Sequence, residues 1–311
     1  MELIRGTSNL RDRHRGCVVT IGSYDGIHLG HQAVLERLVV HGTRLARPAL
    51  MVTFEPMPRE YLAPSNPPAR LTSLRERCRW LTRMAHRQAR LDHVLVLRFG
   101  ERLRQLSGEQ FVQWLARDLD PAAVVVGYDF RFGRDGQGTA ESLYAAGKRH
   151  GFEVEILDPV MLGPDRLSSS GVRDALAAGD FARARRWLGR PYSMFGRVIE
   201  GERLGRRLGF PTANMRIGRR RAAVGGIFAV RVHGAGLEAR PGVGSLGTRP
   251  TVGGTVPLLE AHVFDFDGDL YGCELEVEFV AKLREEVRFE SLEALVEQMH
   301  RDAQQARSLF K

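Results

Sequence analysis

The chain is poor in cysteine and almost without lysine. Its three cysteines, Cys17, Cys78 and Cys273, are scattered through 311 residues. No CxxC pair exists, so neither a cysteine zinc site nor a disulfide framework is supported. The expected compartment is a reducing cytoplasm. No apolar run approaches the ~20 residues of a membrane span. The opening Met-Glu-Leu-Ile-Arg-Gly shows no apolar core of a secretory signal. No internal repeat or low-complexity segment is seen.

Lys+Arg totals 46, yet Lys148, Lys282 and Lys311 are the only lysines. The net charge of +9 is therefore carried by arginine. One reading is a general arginine bias on solvated faces; the other is an anionic partner. The clusters Arg183–Arg186 and Arg219–Arg221 have no interleaved aromatics, which speaks against a nucleic-acid platform. No nucleic acid and no membrane is expected as a partner. Hydrophobic residues at 43% and charged residues at 27% are ordinary for a globular protein. At about 150 residues per domain the length suggests two domains.

The texture agrees. Residues 17–21, 49–54, 93–97 and 123–126 read as buried strands. They alternate with helical stretches at 32–40, 74–86 and 108–118, with Ser107 as a cap. Such alternation predicts a Rossmann-like parallel sheet of βαβ units. A helix is expected at 170–177, followed by an arginine-rich stretch at 181–188. Beyond about residue 190 the segments shorten and alternate, as at 228–233, 259–266 and 274–280. That predicts a small antiparallel β-sandwich or barrel. A terminal helix follows, capped by Ser291, with Leu292, Leu295, Val296 and Met299 on one face. The expected domains are 1–187 and 188–311.

The densest chemistry is Gly22-Ser-Tyr24-Asp25-Gly26-Ile-His28-Leu-Gly30-His31. It follows a strand and opens a helix. Glycines let the backbone approach an anion, and a helix N-terminus offers free N–H groups. His28 and His31 share one side of the helix and could stabilise charge on departing pyrophosphate. Two alternatives are an HxxH metal pair lacking a third ligand, and two ordinary surface histidines.

A second cluster is Gly201-Glu-Arg-Leu-Gly205-Arg206-Arg-Leu-Gly209-Phe-Pro211-Thr212-Ala-Asn214. Its glycines suit a phosphate-covering loop, but no Walker A lysine follows. Thr212 and Asn214 are two apart, so an extended chain points both one way. A hydroxyl and an amide oxygen are suitable Mg²⁺ ligands beside nucleotide phosphates. Residues alone favour an ordinary Pro-Thr turn. Asp265, Asp267 and Asp269 do not form a calcium loop, because Leu270 takes the place an EF-hand glycine needs. An Asp267-Gly268 hairpin turn is the expectation there.

The first cluster resembles the HxGH signature of nucleotidylyltransferases. With Thr53-Phe-Glu-Pro56, Arg70-Leu-Thr-Ser73, Gly127-Tyr-Asp-Phe-Arg-Phe-Gly133 and Ser168-Ser-Ser-Gly-Val-Arg173, it resembles the bacterial bifunctional riboflavin kinase/FMN adenylyltransferase family. Gly205 to Asn214 is similar to the riboflavin kinase hallmark, and Gly244–Val252 and Glu260–Asp267 also look like the family. The shared order spans nearly the whole chain.

The resemblance implies that His28 and His31 contact ATP phosphates. It implies a second phosphate clamp of Ser168, Ser169 and Arg173, and a nucleotide/flavin cleft at Gly127 and Asp129. It implies Mg²⁺ at Thr212 and Asn214, and Glu260 as the base that takes the riboflavin 5′-hydroxyl proton. Substrates and products would be ATP, riboflavin, FMN and FAD. Met57 and the loop Arg134–Thr139 depart from the family pattern. They motivate one alternative, a riboflavin kinase whose adenylyltransferase half is weakened. A rival from another class is a basic nucleic-acid-binding regulator.

Overall fold

A computed structural model describes residues 1–85, 91–201, 205, 208–251 and 254–311, with side chains described except at 249–251 and 254–256. The chain forms two compact units. One holds Met1–Pro68 and Arg77–Ser168; the other holds Ala69–Glu76 and Ser169–Lys311.

The first unit is built on β1 (Glu2–Arg5), β2 (Val18–Ile21), β3 (Ala49–Phe54), β4 (His93–Leu97), β5 (Ala123–Gly127) and β8 (Glu153–Leu157). Two short hairpin pairs, β6 (Arg131–Phe132) with β7 (Gly138–Thr139) and β9 (Met161–Leu162) with β10 (Asp165–Arg166), lie outside this sheet. The six strands are parallel, in the order β1-β4-β3-β2-β5-β8. Helices α1 (Leu29–Leu45), α2 (Pro58–Leu62), α3 (Leu74–Ala85), α4 (Glu101–Arg104), α5 (Gly108–Trp114) and α6 (Ala140–His150) connect them. The central strands read as unbroken apolar runs because helices cover a parallel sheet on both faces. Val18, Val19, Leu50, Met51, Val52 and Val124 are fully buried. Ser107 caps α5 as expected: its Oγ accepts the Gln110 N–H at 3.1 Å, and Gln110 returns a bond to the Ser107 N–H. The helix then widens into a π turn over Leu115–Leu119. β1 and β8 were not foreseen. Glu2–Arg5 is four residues with one buried side chain, too little pattern to read.

From β2 the chain builds outward to β3 and β4 on one side and to β5 and β8 on the other. The order therefore reverses between β2 and β5, where ligands of open α/β sheets bind beyond the carboxyl ends of the strands.

The second unit contains α7 (Ser169–Ala177), α8 (Phe181–Leu188), β11 (Ser193–Ile199), β12 (Ala213–Arg216), β13 (Gly226–Gly234), β14 (Leu237–Thr251), β15 (Gly254–Val263), β16 (Glu274–Arg284) and α9 (Leu292–Ser308). The strands close a six-stranded antiparallel barrel in the order β11-β12-β15-β14-β13-β16. Ala213, Met215, Leu259, Ala261 and Leu246 fill it, so the alternate residues Asn214, Glu260, Ser245 and Gly247 share the outer face. Phe181 of α8 stacks on Phe279, centroids 6.3 Å apart. Ser291 caps α9, accepting the Ala294 N–H at 3.1 Å.

Two expectations are corrected. The strands on either side of Asp267-Gly268 are not a hairpin: β15 pairs with β12 and β14, and β16 with β11 and β13. A turn dipeptide reports local bend, while pairing is decided by barrel closure. Leu292 is 55% exposed; α9 buries Asp302 and Ala306 instead. Asp302 belongs inside because Arg284 grips both its oxygens at 2.7–3.1 Å.

Candidate active sites

In the first unit, β2 ends at Ile21, and residues 22–28 lead into α1. His28 is the N-cap of α1. Its Nδ1 accepts the His31 backbone N–H at 3.3 Å. That bond places the ring proton on Nε2, which makes this nitrogen the donor of the ring. The two imidazoles stack at 3.7 Å between centroids. Gly30 is required by this stack: a Cβ there would lie 3.0 Å from His28 Cε1. The same Cβ would meet Leu167, so Ser168, the next residue, stands close to the start of α1.

Tyr24 and Asp25 are buried, at 3% and 2% exposure. The Tyr24 hydroxyl bonds Thr20 Oγ1 at 2.6 Å, and burial pushes its phenol well above the usual range. Their side chains therefore build the loop, and the loop offers its backbone. Gly22 closes over the Tyr24 ring, where a Cβ would come within 3.0 Å. Gly127 ends β5, the strand beside β2, and Asp129 follows it, so both lie at the same sheet end. Asp129 pairs with Arg166, which lies over the Tyr128 ring at 4.6 Å. A stacked histidine pair at a helix N-terminus, on a sheet's switch point, can hold and neutralise a polyphosphate.

Ser169 and Arg173 lie on α7 of the second unit. Arg173 Nε donates to the Ala69 carbonyl at 2.5 Å. Gly171 is forced by packing, since a Cβ would fall 1.9 Å from Trp187.

The barrel assembles the second cluster by register. Asn214 on β12 stands opposite Glu260 on β15, and Glu260 stands opposite Ser245 on β14. Directly opposed residues share a face with Cβ atoms about 5 Å apart. Asn214 is 8% exposed, and its Nδ2 donates to the Thr212 carbonyl at 3.4 Å, leaving Oδ1 as a hard oxygen. Gly201 and Gly205 fit around these groups. A Cβ at Gly201 would lie 2.7 Å from the Asn214 amide, and one at Gly205 would lie 3.4 Å from Thr212 Oγ1. The donor set suits Mg²⁺. Arg206 lies outside the described residues.

Two further residues join this cluster. His262, on the face of Glu260, donates from Nδ1 to the Pro211 carbonyl at 2.8 Å and so fixes the approach to Thr212. Glu286 lays its carboxylate where a Gly247 side chain would be; a Cβ there would meet Oε1 at 2.1 Å. Desolvation, then the Glu260 charge, raises the Glu286 carboxyl above its ordinary range. The sequence signal for both was weak: one His inside a strand, one Glu in a charged run.

The sequence model of the FAD synthetase family matches residues 10–171, and that of the riboflavin kinase family matches residues 188–310. A bifunctional riboflavin kinase/FMN adenylyltransferase of Pseudomonas fluorescens is 47% identical over 99% of this chain and 98% of its own. The Escherichia coli K12 protein so named is 42% identical over 100% and 98%. A solved structure described as a macrolide-efflux protein from Streptococcus pneumoniae is similar across 99% of both chains, with TM-score 0.79 and 27% identity. Among the described residues no helix is long and apolar enough to cross a membrane. By the matched halves and these full-length relatives, the chain belongs to the bifunctional riboflavin kinase/FMN adenylyltransferase family.

Proposed function

We propose that the chain's two activities, phosphorylation of riboflavin to FMN and adenylylation of FMN to FAD with release of pyrophosphate, divide between the two clusters. The observation that supports this is that each core set closes within one compact unit: His28 with His31 in the first, and Thr212, Asn214 and Glu260 in the second.

In the kinase reaction Glu260 accepts the proton of the riboflavin 5′-hydroxyl as that oxygen attacks the γ-phosphorus of ATP, and the bond to the β,γ-bridging oxygen breaks to release ADP. A carboxylate on an open strand face can reach a substrate hydroxyl. Thr212 and Asn214 would hold Mg²⁺, which neutralises phosphate charge when bound. Gly201 and Gly205 stand beside the phosphates, and Arg206 enters this reading from the sequence pattern alone. In the adenylyltransferase reaction the FMN phosphate attacks the α-phosphorus of ATP. His28 and His31 donate to the phosphates as charge grows on the pyrophosphate. The backbone at Gly22, Tyr24, Asp25 and Gly30 and the strand end at Gly127 and Asp129 receive the nucleotide. Ser168 joins them; Ser169 and Arg173 enter this reading from the resemblance alone. The domain division is proposed at 187/188. The free cysteines favour a cytoplasmic setting.

The test is incubation with riboflavin, ATP and Mg²⁺, separating FMN and FAD by chromatography. FMN followed by FAD is expected, and neither without Mg²⁺. FMN alone would replace this reading with the kinase whose adenylyltransferase half is weakened. No turnover would overturn both.

A further inference from the structure

The loop between β2 and α1 carries left-handed backbone at Tyr24 (φ 51°), Gly26 (φ 86°) and Ile27 (φ 43°). Glycine adopts this region freely; a tyrosine and a β-branched isoleucine do so only where the surroundings over-determine them. The Tyr24 hydroxyl bond and the wholly buried Ile27 side chain account for part of that hold.

Arg77, whose side chain is 0% exposed, adds to that hold. Its Nη1 donates to the Ser23 carbonyl at 2.6 Å and to Thr53 Oγ1 at 2.7 Å. Its Nη2 donates to Glu55 Oε2 at 3.0 Å. Thr53 Oγ1 itself donates to the Ser23 carbonyl at 3.3 Å, closing a triangle. The guanidinium thus ties the loop after β2 to the end of β3. An apolar side chain would fill such a space at lower desolvation cost, so what arginine adds is its planar fork of donors.

The direction of one peptide follows. The Ser23 carbonyl and the Tyr24 N–H belong to a single planar trans unit and point opposite ways. Gripping the carbonyl fixes where that N–H points. Successive amides around left-handed residues form the concavities that take anions. We propose that Arg77 is a positioning residue for AMP transfer: by gripping Ser23 and Thr53 it holds residues 22–28, and through them His28, in the geometry that receives the ATP phosphates. This rests on the adenylyltransferase reading given above.

The test uses the full chain with Arg77→Met and Arg77→Lys. Three properties are read: FAD formation from supplied FMN, FMN formation from riboflavin, and hydrogen exchange of residues 22–28. In Arg77→Met the kcat of FAD formation is expected to fall on the order of 10²-fold, the scale of an ångström-sized misplacement. The KM for FMN should move by less than about threefold, as expected when ground-state binding is spared. Exchange of residues 22–28 should quicken while β2 and β3 stay protected. Arg77→Lys keeps the charge beside Glu55 without the fork, and should recover less than about tenfold of the lost rate. Riboflavin phosphorylation should persist in both. An unchanged FAD rate or unchanged exchange at 22–28 in folded Arg77→Met would overturn the proposal. Loss of both activities in Arg77→Lys would overturn it too, because the effect would then be general. Should Arg77→Met not fold, Arg77→Lys decides by the same readouts. A wild type without FAD synthesis would defeat the adenylyltransferase reading itself, and the exchange comparison would still decide whether Arg77 holds the loop.

Discussion

In the first unit the candidate catalytic histidines stand three residues apart inside one ten-residue stretch at the end of β2. In the second, Thr212 with Asn214, Glu260, and Glu286 come from three separate stretches in and beside a barrel wall. The first arrangement depends on a strained loop kept in shape by buried side chains. The second depends on strand register, and on glycines at 201, 205 and 247 where a neighbour occupies the space of a Cβ. A loop site is thus vulnerable to loss of its supports. A strand site is vulnerable to anything that fills its glycine gaps or slips its pairing.

The sharpest way to break this comparison is to remove the donors of one site only. His28→Ala with His31→Ala should lower FAD formation from FMN by on the order of 10³-fold, mainly in kcat, because charge on pyrophosphate grows in the transition state. FMN formation should be untouched. FAD synthesis that persists, or kinase activity that disappears, would refute the separation. Next in size, Glu260→Gln should reduce FMN formation by about 10²-fold or more, the scale of a lost general base. Adenylylation of supplied FMN should survive. Near-normal kinase turnover in the folded variant would remove Glu260 from its role.

The same contrast explains what the sequence alone disclosed. The central parallel strands were legible because apolar runs such as Ala49–Phe54 and His93–Leu97 coincide with them. The cluster 22–31 was legible because contiguous residues carry it. β14 was not: Leu237–Thr251 is rich in glycine and includes Pro241. It is a strand because its neighbours close the barrel, with Gly242 approaching the His262 carbonyl where a Cβ would lie at 2.4 Å. Strand formation here is tertiary rather than intrinsic. Glu286 was hidden for a similar reason, since nothing in a charged run says that its carboxylate lies over Gly247.

A smaller effect concerns stability within the second unit. Glu76 and Arg219 pair at 2.5 Å with side chains 1% and 0% exposed. Glu76 also accepts the Phe195 N–H at 2.8 Å. Glu76→Ala strands a buried guanidinium and should cost about 3–5 kcal/mol. Denaturant unfolding followed at Trp187, on α8 of the same unit, would report it. A change below about 1 kcal/mol, as for an exposed pair, would contradict the burial argument. A fragment 188–311 lacks Glu76 and should show the same deficit.

The smallest effect lies at the edge of the first unit. Glu2 is held at about 2, first by the Arg13 hydrogen bond and then by His14. Its carboxyl is depressed on folding, so its contribution is present above pH 4.5 and is lost as pH falls toward 2. Glu2→Gln should lower the urea midpoint slightly at pH 6, and the difference should shrink at pH 3. High salt should narrow it as well. A gap that widens on acidification would reverse the sign and contradict the assignment.

The most direct measurement mixes two variants of the whole chain, each with one site disabled. The His28→Ala/His31→Ala chain and the Glu260→Gln chain are each given riboflavin, ATP and Mg²⁺, alone and together. The first should stop at FMN, and the second should make little of either product. Combined, they should produce FAD, because FMN made at an intact barrel site is adenylylated at an intact sheet site on another molecule. FAD from either variant alone, or none from the mixture, would contradict two separate sites joined by FMN.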